Sequence, residues 1–395
     1  MKNWLLILSI GFLCGCTNSE DPVYPENQNK TLSSDSFVSL EMALNKLQPF
    51  MNAISDGATR SNLKVSSVEI ITSQSTRSNS DSTTPYYLVN FGNNEGFAIL
   101  SSDNRLLPVY AFSNEGSLSL KDTISNKMLA SFITSLPTDP TINPLIITDP
   151  VQNSGYERLV APLLTGPMQK IHQASPYNTF TPTCPETVGN HGHYYTGCTP
   201  IAMAAYMSFY KFPSKIDNTS IDWSGICNPT SMNYESMRTL LRAISSSNNL
   251  CPENNPKTGG RGCKETDITK TFKNLGYTFS SYSAFDYNDI VSVLKSKRPV
   301  FLNGENRYEM HNWVLDGLFA YYTLSLSPIV GGSNIKTYTN YYFHCVWGWG
   351  GSYNGYFAYS NGMGGTAEKV ESNETIENCP EFFNTIKYYK NLSPK

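Results

Sequence analysis

The chain has 395 residues, a net charge of −3 and only 15% charged residues. That length favours two domains, or one large one with an appendage, and leaves room for a core that does not depend on disulfides. The charge balance offers no basic field to hold nucleic acid, and the abundance of Tyr (25) and Phe (19) is that of a β-rich extracellular protein.

Residues 1–16 read as a leader. Lys2 supplies a positive start, and the apolar run 4–13 is well short of the ~20 residues that span a bilayer. The run ends in Leu13-Cys14-Gly15-Cys16, which reads as a bacterial lipobox with Cys16 as the lipid acceptor. An ordinary signal peptide with incidental cysteines is the other reading. Acyl chains on Cys16 add ~0.8 kcal/mol per buried methylene, so two or three anchor stably. Ser19-Glu20-Asp21 resembles the acidic export tag of surface lipoproteins, and residues 17–35 form a polar tether.

Residues 36–155 read as a small α+β module. Leu40, Ala43, Leu44 and Leu47 fall at helical spacing, which predicts an amphipathic helix over 39–51. The Ser/Thr-rich stretch 75–85 is a linker or exposed loop. Strands at 86–91 and 97–101 flank Gly92-Asn93-Asn94-Glu95-Gly96, a hairpin signature. A short strand at 108–112 and a helical stretch at 124–136 follow. The module has no nucleophile, acid pair or metal cluster, and the proline-rich run 137–150 marks its end.

The second domain, 156–395, opens at Val160-Ala161-Pro162-Leu163-Leu164. Residues 200–212 are nearly all apolar, hence a helix buried all round, closed by Pro213. Further helices are predicted at 231–245 and 265–274, the latter stopped by Gly276. Strands follow at 300–303, 313–318, 338–345 and 356–360. Helices first and an antiparallel sheet afterwards is an α+β layout, with no internal repeat.

Nine cysteines are present, of which Cys14 and Cys16 belong to the leader. With Cys198 set aside, Cys184, Cys227, Cys251, Cys263, Cys345 and Cys379 remain. An exported chain permits disulfides among them, in any of about fifteen pairings. Cys251 and Cys263, flanking a Pro/Gly/Asn-rich loop, are the first pair expected to bridge. No CxxC pair occurs, which argues against structural zinc.

The chemistry gathers at three places. Cys198 stands in Thr196-Gly197-Cys198-Thr199-Pro200, immediately ahead of the small-residue helix. A helix N-terminus and a nearby imidazolium both favour a thiolate, and Pro200 suits the first turn. Taken alone, Cys198 reads as readily as a buried structural or disulfide cysteine. His311, in Glu309-Met310-His311-Asn312-Trp313, begins a strand that ends in Asp316-Gly317; alone it reads equally as a hydrogen-bonded surface histidine. Trp347-Gly348-Trp349-Gly350-Gly351 sets two indoles on one face of an extended segment, either as a core pair in a tight bend or as a shield for an imidazole. His191 and His193 lie near Cys198, but the missing fourth ligand and Gly192 argue against a metal site.

Together these residues resemble the streptopain family of cysteine peptidases. Gln173 with Ser175-Pro176-Tyr177-Asn178 resembles the family's opening motif. Thr196-Gly197-Cys198, Ala202-Met203-Ala204 and Tyr210-Lys211-Phe212-Pro213 resemble its nucleophile helix. Arg298-Pro299-Val300, the 311–317 run and His344 to Gly351 resemble the base strand and Trp loop. Gly96 to Leu106 resembles a motif of the family's prosegment. The resemblance implies a papain-like α+β peptidase fold preceded by a small inhibitory α+β prodomain. It implies Cys198 as nucleophile, His311 as general base and Gln173 as side-chain oxyanion donor. It also implies that Trp347 stands in for the His-orienting Asn of papain-like enzymes and that Trp349 matches the family's shielding Trp. The chain departs from the family at Glu309-Met310 in place of Gly-Gly, Asn312 in place of Ala, and Val346 in place of Asn. By the same resemblance, bulk and charge at 309–310 would narrow the cleft beside His311, where the family's glycines leave room.

The expectation is therefore an exported, lipid-anchored cysteine endopeptidase made as a zymogen, with no cofactor and no metal. Its partners are protein or peptide substrates, its own prodomain and, through Cys16, the outer membrane or cell surface. Cleavage near Val160 would release the mature half. The alternative is a catalytically impaired protease-like binding or inhibitor lipoprotein, its cleft locked by the prosegment and the altered 309–312 loop. A purely adhesive surface lipoprotein is a third possibility.

Overall fold

A computed structural model of the chain describes residues 36–54, 63–72, 85–121, 132–133, 136–137, 154–305, 310–326, 334–358 and 385–395. The leader with Cys16, the tether, nearly all of the 75–85 stretch, most of 124–136, the proline-rich run beyond Pro137, Glu309 and Cys379 lie outside them.

The N-terminal unit follows its sequence pattern closely. Helix α1 (Leu40–Ile54) turns Ala43, Leu47, Phe50 and Met51 inward. Strands β1 (Val65–Ile71), β2 (Tyr86–Phe91), β3 (Phe97–Ser101) and β4 (Val109–Ser113) form an antiparallel meander. Gly96 closes the β2–β3 hairpin at φ +114°, where a Cβ would lie 2.0 Å from the Ser113 carbonyl oxygen. Only glycine fits there.

Strand β5 (Ser154–Val160) then enters the second unit, just ahead of the start expected near Val160. Helices α2 (Cys198–Tyr210), α3 (Tyr234–Ile244), α4 (Glu265–Asn274) and α5 (Tyr287–Lys295) come next, with β6 (Ser281–Ala284) between the last two. Strands β7 (Val300–Glu305), β8 (Met310–Leu326), β9 (Asn334–Val346), β10 (Gly355–Ala358) and β11 (Thr385–Lys390) follow.

Among the described residues these eleven strands join one sheet in the order β1-β2-β3-β4-β10-β9-β8-β7-β11-β6, with β5 against β8, and short two-stranded ladders lie outside it. The long β8 makes this possible. Its first residues pair with β7 (Val300↔Leu315 to Glu305↔Met310), and its middle pairs with β5 (Leu318↔Val160 to Thr323↔Ser154). The two units meet where β4 pairs with β10, Phe112 opposite Tyr356 and Ala111 opposite Phe357.

Two apolar cores pack against this sheet. Along β7 the side chains alternate, Val300 and Leu302 joining one core and Phe301 the other, as strand geometry requires. The first core gathers α1, α5 and β1–β4 with much of β8 and β9, so the N-terminal unit and the second unit share it. Phe50 of α1 lies at its centre, with ring centroids 4.6 Å from Phe319, 5.0 Å from Tyr156 and 5.1 Å from Tyr342. The second core surrounds α2, buried without interruption from Thr199 to Ser208.

The expected Cys251–Cys263 bridge is absent. Both are free thiols, and the loop between them is closed by a backbone ladder, Glu253 opposite Gly262 and Asn254 opposite Arg261. Cys184, Cys198, Cys227 and Cys345 are free as well.

Candidate active site

Helix α2 begins two residues earlier than its apolar run implies, so Cys198 itself occupies the first helical position. Gly197 sets this start. Its φ is +96°, and a Cβ there would meet the Arg261 carbonyl oxygen at 2.7 Å. Pro200 falls inside the first turn, where a missing N–H leaves no helical bond unmade. Cys198 is thus held among the unpaired N–H groups at the positive end of the helix macrodipole.

His311, at the start of β8, comes to the same place, between Met310, whose carbonyl lies 3.8 Å from Cys198 Sγ, and Asn312, whose amide lies 3.9 Å from it. Burial pushes the thiol up, but the neighbouring His311 imidazole outweighs it. The backbone N–H and side-chain amide of Asn312 add to the pull, bringing the thiol down to about 7. A group titrating there is about half ionised at neutral pH, against a few per cent for an ordinary thiol.

The far side of the imidazole is held by backbone. His311 Nε2–H donates to the Trp347 carbonyl oxygen at 3.1 Å, which makes Nδ1 the nitrogen left to exchange a proton. The Trp347 indole does something else: its Nε1–H donates to the Tyr353 carbonyl at 3.0 Å. Trp349 covers the imidazole at 4.8 Å between centroids, and Trp347 and Trp349 stack at 5.7 Å and 16°. The segment between them is not extended as its sequence implied. Gly348 turns at φ +79°, and a Cβ there would lie 2.8 Å from Ile201 Cγ2 of α2.

Four further contacts fix the Trp loop. Asn354 accepts from the Trp347 backbone N–H (3.1 Å) and donates to the Gln169 carbonyl (2.7 Å). Gly350 N–H donates to the Ile171 carbonyl at 3.0 Å, and His172 pairs with Trp349 as an isolated bridge. Gln173 follows directly. Its carbonyl accepts from Thr196 N–H at 2.8 Å, bringing its backbone beside the turn that precedes Cys198. The N-terminal unit touches the same loop, with Ser113 Oγ donating to the Asn354 carbonyl and Lys170 paired with Glu115 at 3.2 Å.

His344 and His193 have structural partners. His344 Nδ1–H donates to the buried Asp316 carboxylate at 2.6 Å, and the second carboxylate oxygen accepts from Leu164 N–H at 3.0 Å. That pair anchors the opening segment of the second unit to β8. His193 donates to the Thr181 carbonyl at 2.7 Å, and no cluster able to hold a metal exists among the described residues. Sequence reading singled out Cys198, His311, Gln173 and Trp347 but passed over Asn354. Asn354-Gly355, a turn dipeptide just after the Trp loop, was the available signal.

Residues 171–357 match the Peptidase C10 family, and residues 35–136 match a family described as Spi protease inhibitor. Among solved structures, a fragment of Prevotella intermedia prointerpain A is 19% identical, with a TM-score of 0.45; the match covers 73% of this chain and 91% of that one. No curated protein matches.

Proposed function

The chain belongs to the Peptidase C10 family, with a papain-like mixed α/β catalytic unit behind a small α+β inhibitor-type unit, and on that premise we propose the following division of labour. Cys198 is the nucleophile of this cysteine endopeptidase and His311 its general acid and base. Gln173 and the Cys198 N–H hold the oxyanion, and the backbone carbonyl of Trp347 orients the imidazole. One observation carries the reading: a thiol at a helix N-terminus, beside an imidazole whose Nε2 is held by a backbone carbonyl, and drawn down to about 7.

The thiolate attacks the scissile carbonyl, and the oxyanion forms between the helix-start N–H and the Gln173 amide. His311, protonated at Nδ1, gives that proton to the leaving amine and leaves a thioester on Cys198. The neutral ring then takes a proton from water, whose attack releases the acid and restores the thiol. Throughout, Nε2–H stays on the Trp347 carbonyl, so the ring exchanges its proton without turning.

Residues 36–155 serve as the prodomain of a zymogen. The support is its match to an inhibitor family, its lack of chemistry, and its contacts on the loop behind His311. Because Ser154–Val160 is a strand of the peptidase sheet, a maturation cut that leaves the sheet whole falls upstream of Ser154. The protein is exported with a lipid on Cys16, and maturation frees the peptidase from the membrane. The leader and lipobox support this part.

The nucleophile is tested with Cys198→Ala in the full chain. Hydrolysis of gelatin should vanish with secretion and fold unchanged, and surviving hydrolysis would remove Cys198 from its role. The anchor is tested with Cys16→Ser and labelled fatty acid. Equal labelling of both forms would refute it.

A further inference from the structure

Asn312 follows His311 on β8, with its side chain 1% exposed. A buried amide must find partners or carry a desolvation cost of about 1–3 kcal/mol. Here the partners form a line. On β6, Tyr282 OH donates to Asn303 Oδ1 at 3.0 Å. Asn303, wholly buried on β7 and directly opposite Asn312 in the ladder, donates from Nδ2 to Asn312 Oδ1 at 3.0 Å. Asn312 Nδ2 then donates to Thr199 Oγ1 at 2.9 Å and reaches Cys198 Sγ at 3.9 Å.

Every donor in that line points the same way, from the sheet edge toward the sulfur. Hydrogen bonds aligned head to tail polarise one another, and the effect is strongest in a buried, low-dielectric path. The positive end of the chain lies where negative charge appears when Cys198 ionises. A dipole fixed there before reaction needs no reorganisation as the charge forms.

We propose that Asn312 is a positioning residue that holds Cys198 in place and stabilises its thiolate, as the last member of a donor chain running from Tyr282 through Asn303. The proposal rests on Cys198 being the nucleophile. Other groups also face the sulfur. His311 neighbours Asn312 on β8, and the Met310 carbonyl lies 3.8 Å away. Across the cleft, Cys263 and the Arg261 carbonyl pack against the start of α2; burial first, then the charge of Cys198, keeps the Cys263 thiol up at about 12. Arg261 is the nearby cation on that side, and Asp267 lies beyond Cys263. These remain in place when Asn312 is changed, so a shift on changing it belongs to the chain.

The test uses the full-length protein and two variants. Asn312→Ala removes the terminal donor. Tyr282→Phe removes only the first hydroxyl, at a half-buried strand position remote from the sulfur, and keeps the ring. Iodoacetamide alkylation of Cys198 is followed against pH by peptide mapping. Asn312→Ala should raise the midpoint by about one pH unit, the loss of one hydrogen bond to an ion. Tyr282→Phe should raise it by a few tenths with the melting temperature nearly unchanged. With peptide substrate, kcat/KM of Asn312→Ala should fall about tenfold at pH 6 and less than twofold at pH 8.5, following the thiolate fraction. A merely structural role would lower stability without moving either midpoint, and unmoved midpoints in both variants overturn the proposal while leaving Cys198 as nucleophile. A wild-type Cys198 that reacts no faster than the other thiols overturns the underlying reading and the proposal with it.

Discussion

Replacing Phe50 by Ala tests whether the prodomain helix and the peptidase sheet share one core. Phe50 is fully buried, and its ring lies against Phe319 of β8, Tyr342 of β9 and Tyr156 of β5, all outside the N-terminal meander. Truncating a buried Phe costs about 3–5 kcal/mol, and each lost aromatic pair is worth about 0.5–1.5 kcal/mol of that total. Most of the loss should therefore fall on contacts with the peptidase unit. Tryptophan fluorescence reports on that unit, because four of the five tryptophans, Trp223, Trp313, Trp347 and Trp349, lie in it and the fifth, Trp4, lies far upstream of α1. In a Cys198→Ala background, which prevents self-cleavage, Phe50→Ala should lower the urea midpoint of the Trp transition by roughly 1 M, taking a slope of about 3 kcal/mol per M. An unchanged Trp transition, with only a separate far-ultraviolet transition weakened, would refute a shared core. The prodomain would then be an independent cap.

Three further outcomes follow from the site. Gln173→Ala should lower kcat by about 10²–10³ with little change in KM, because an oxyanion donor acts in the transition state; a change confined to KM would make Gln173 a substrate-positioning residue. Trp347→Phe should retain most of the activity, since the carbonyl that holds His311 Nε2 belongs to the backbone; a loss as deep as that of His311→Ala would show that the indole itself orients the ring. Gly348→Ala combines a φ of +79° with a Cβ 2.8 Å from Ile201 Cγ2, so it should displace the Trp loop and cost activity and thermal stability together, and wild-type behaviour in both would contradict the packing.

Much of the fold was legible because the signals are local. The spans 86–91 and 97–101 match β2 and β3, and 265–274 matches α4, each carried by periodicity and a glycine turn or stop. Strand β5 was missed for a physical reason. Its residues are half-buried except Val160, so no alternation shows, and its partner β8 lies far along the chain. Helix α5 escaped in the same way, its N-cap Asp286 being an unremarkable acid until its side chain is seen accepting from Asp289 N–H. At the site, the resemblance named Trp347 by side-chain identity, but the group that meets His311 is a carbonyl that any residue carries. Asn312 could be read only as a departure from a family pattern, because its meaning lies in Asn303, Tyr282 and Thr199, none of them near it in sequence except across a strand pairing.

The most direct test of the central claim is the pH dependence of Cys198 alkylation in the wild-type protein, with every labelled thiol assigned by mass spectrometry. Cys198 should be modified first, well ahead of the exposed Cys251, and its rate should rise through a midpoint near 7. A midpoint near 9, or labelling of Cys198 no faster than that of Cys251, would contradict an activated nucleophile at the start of α2.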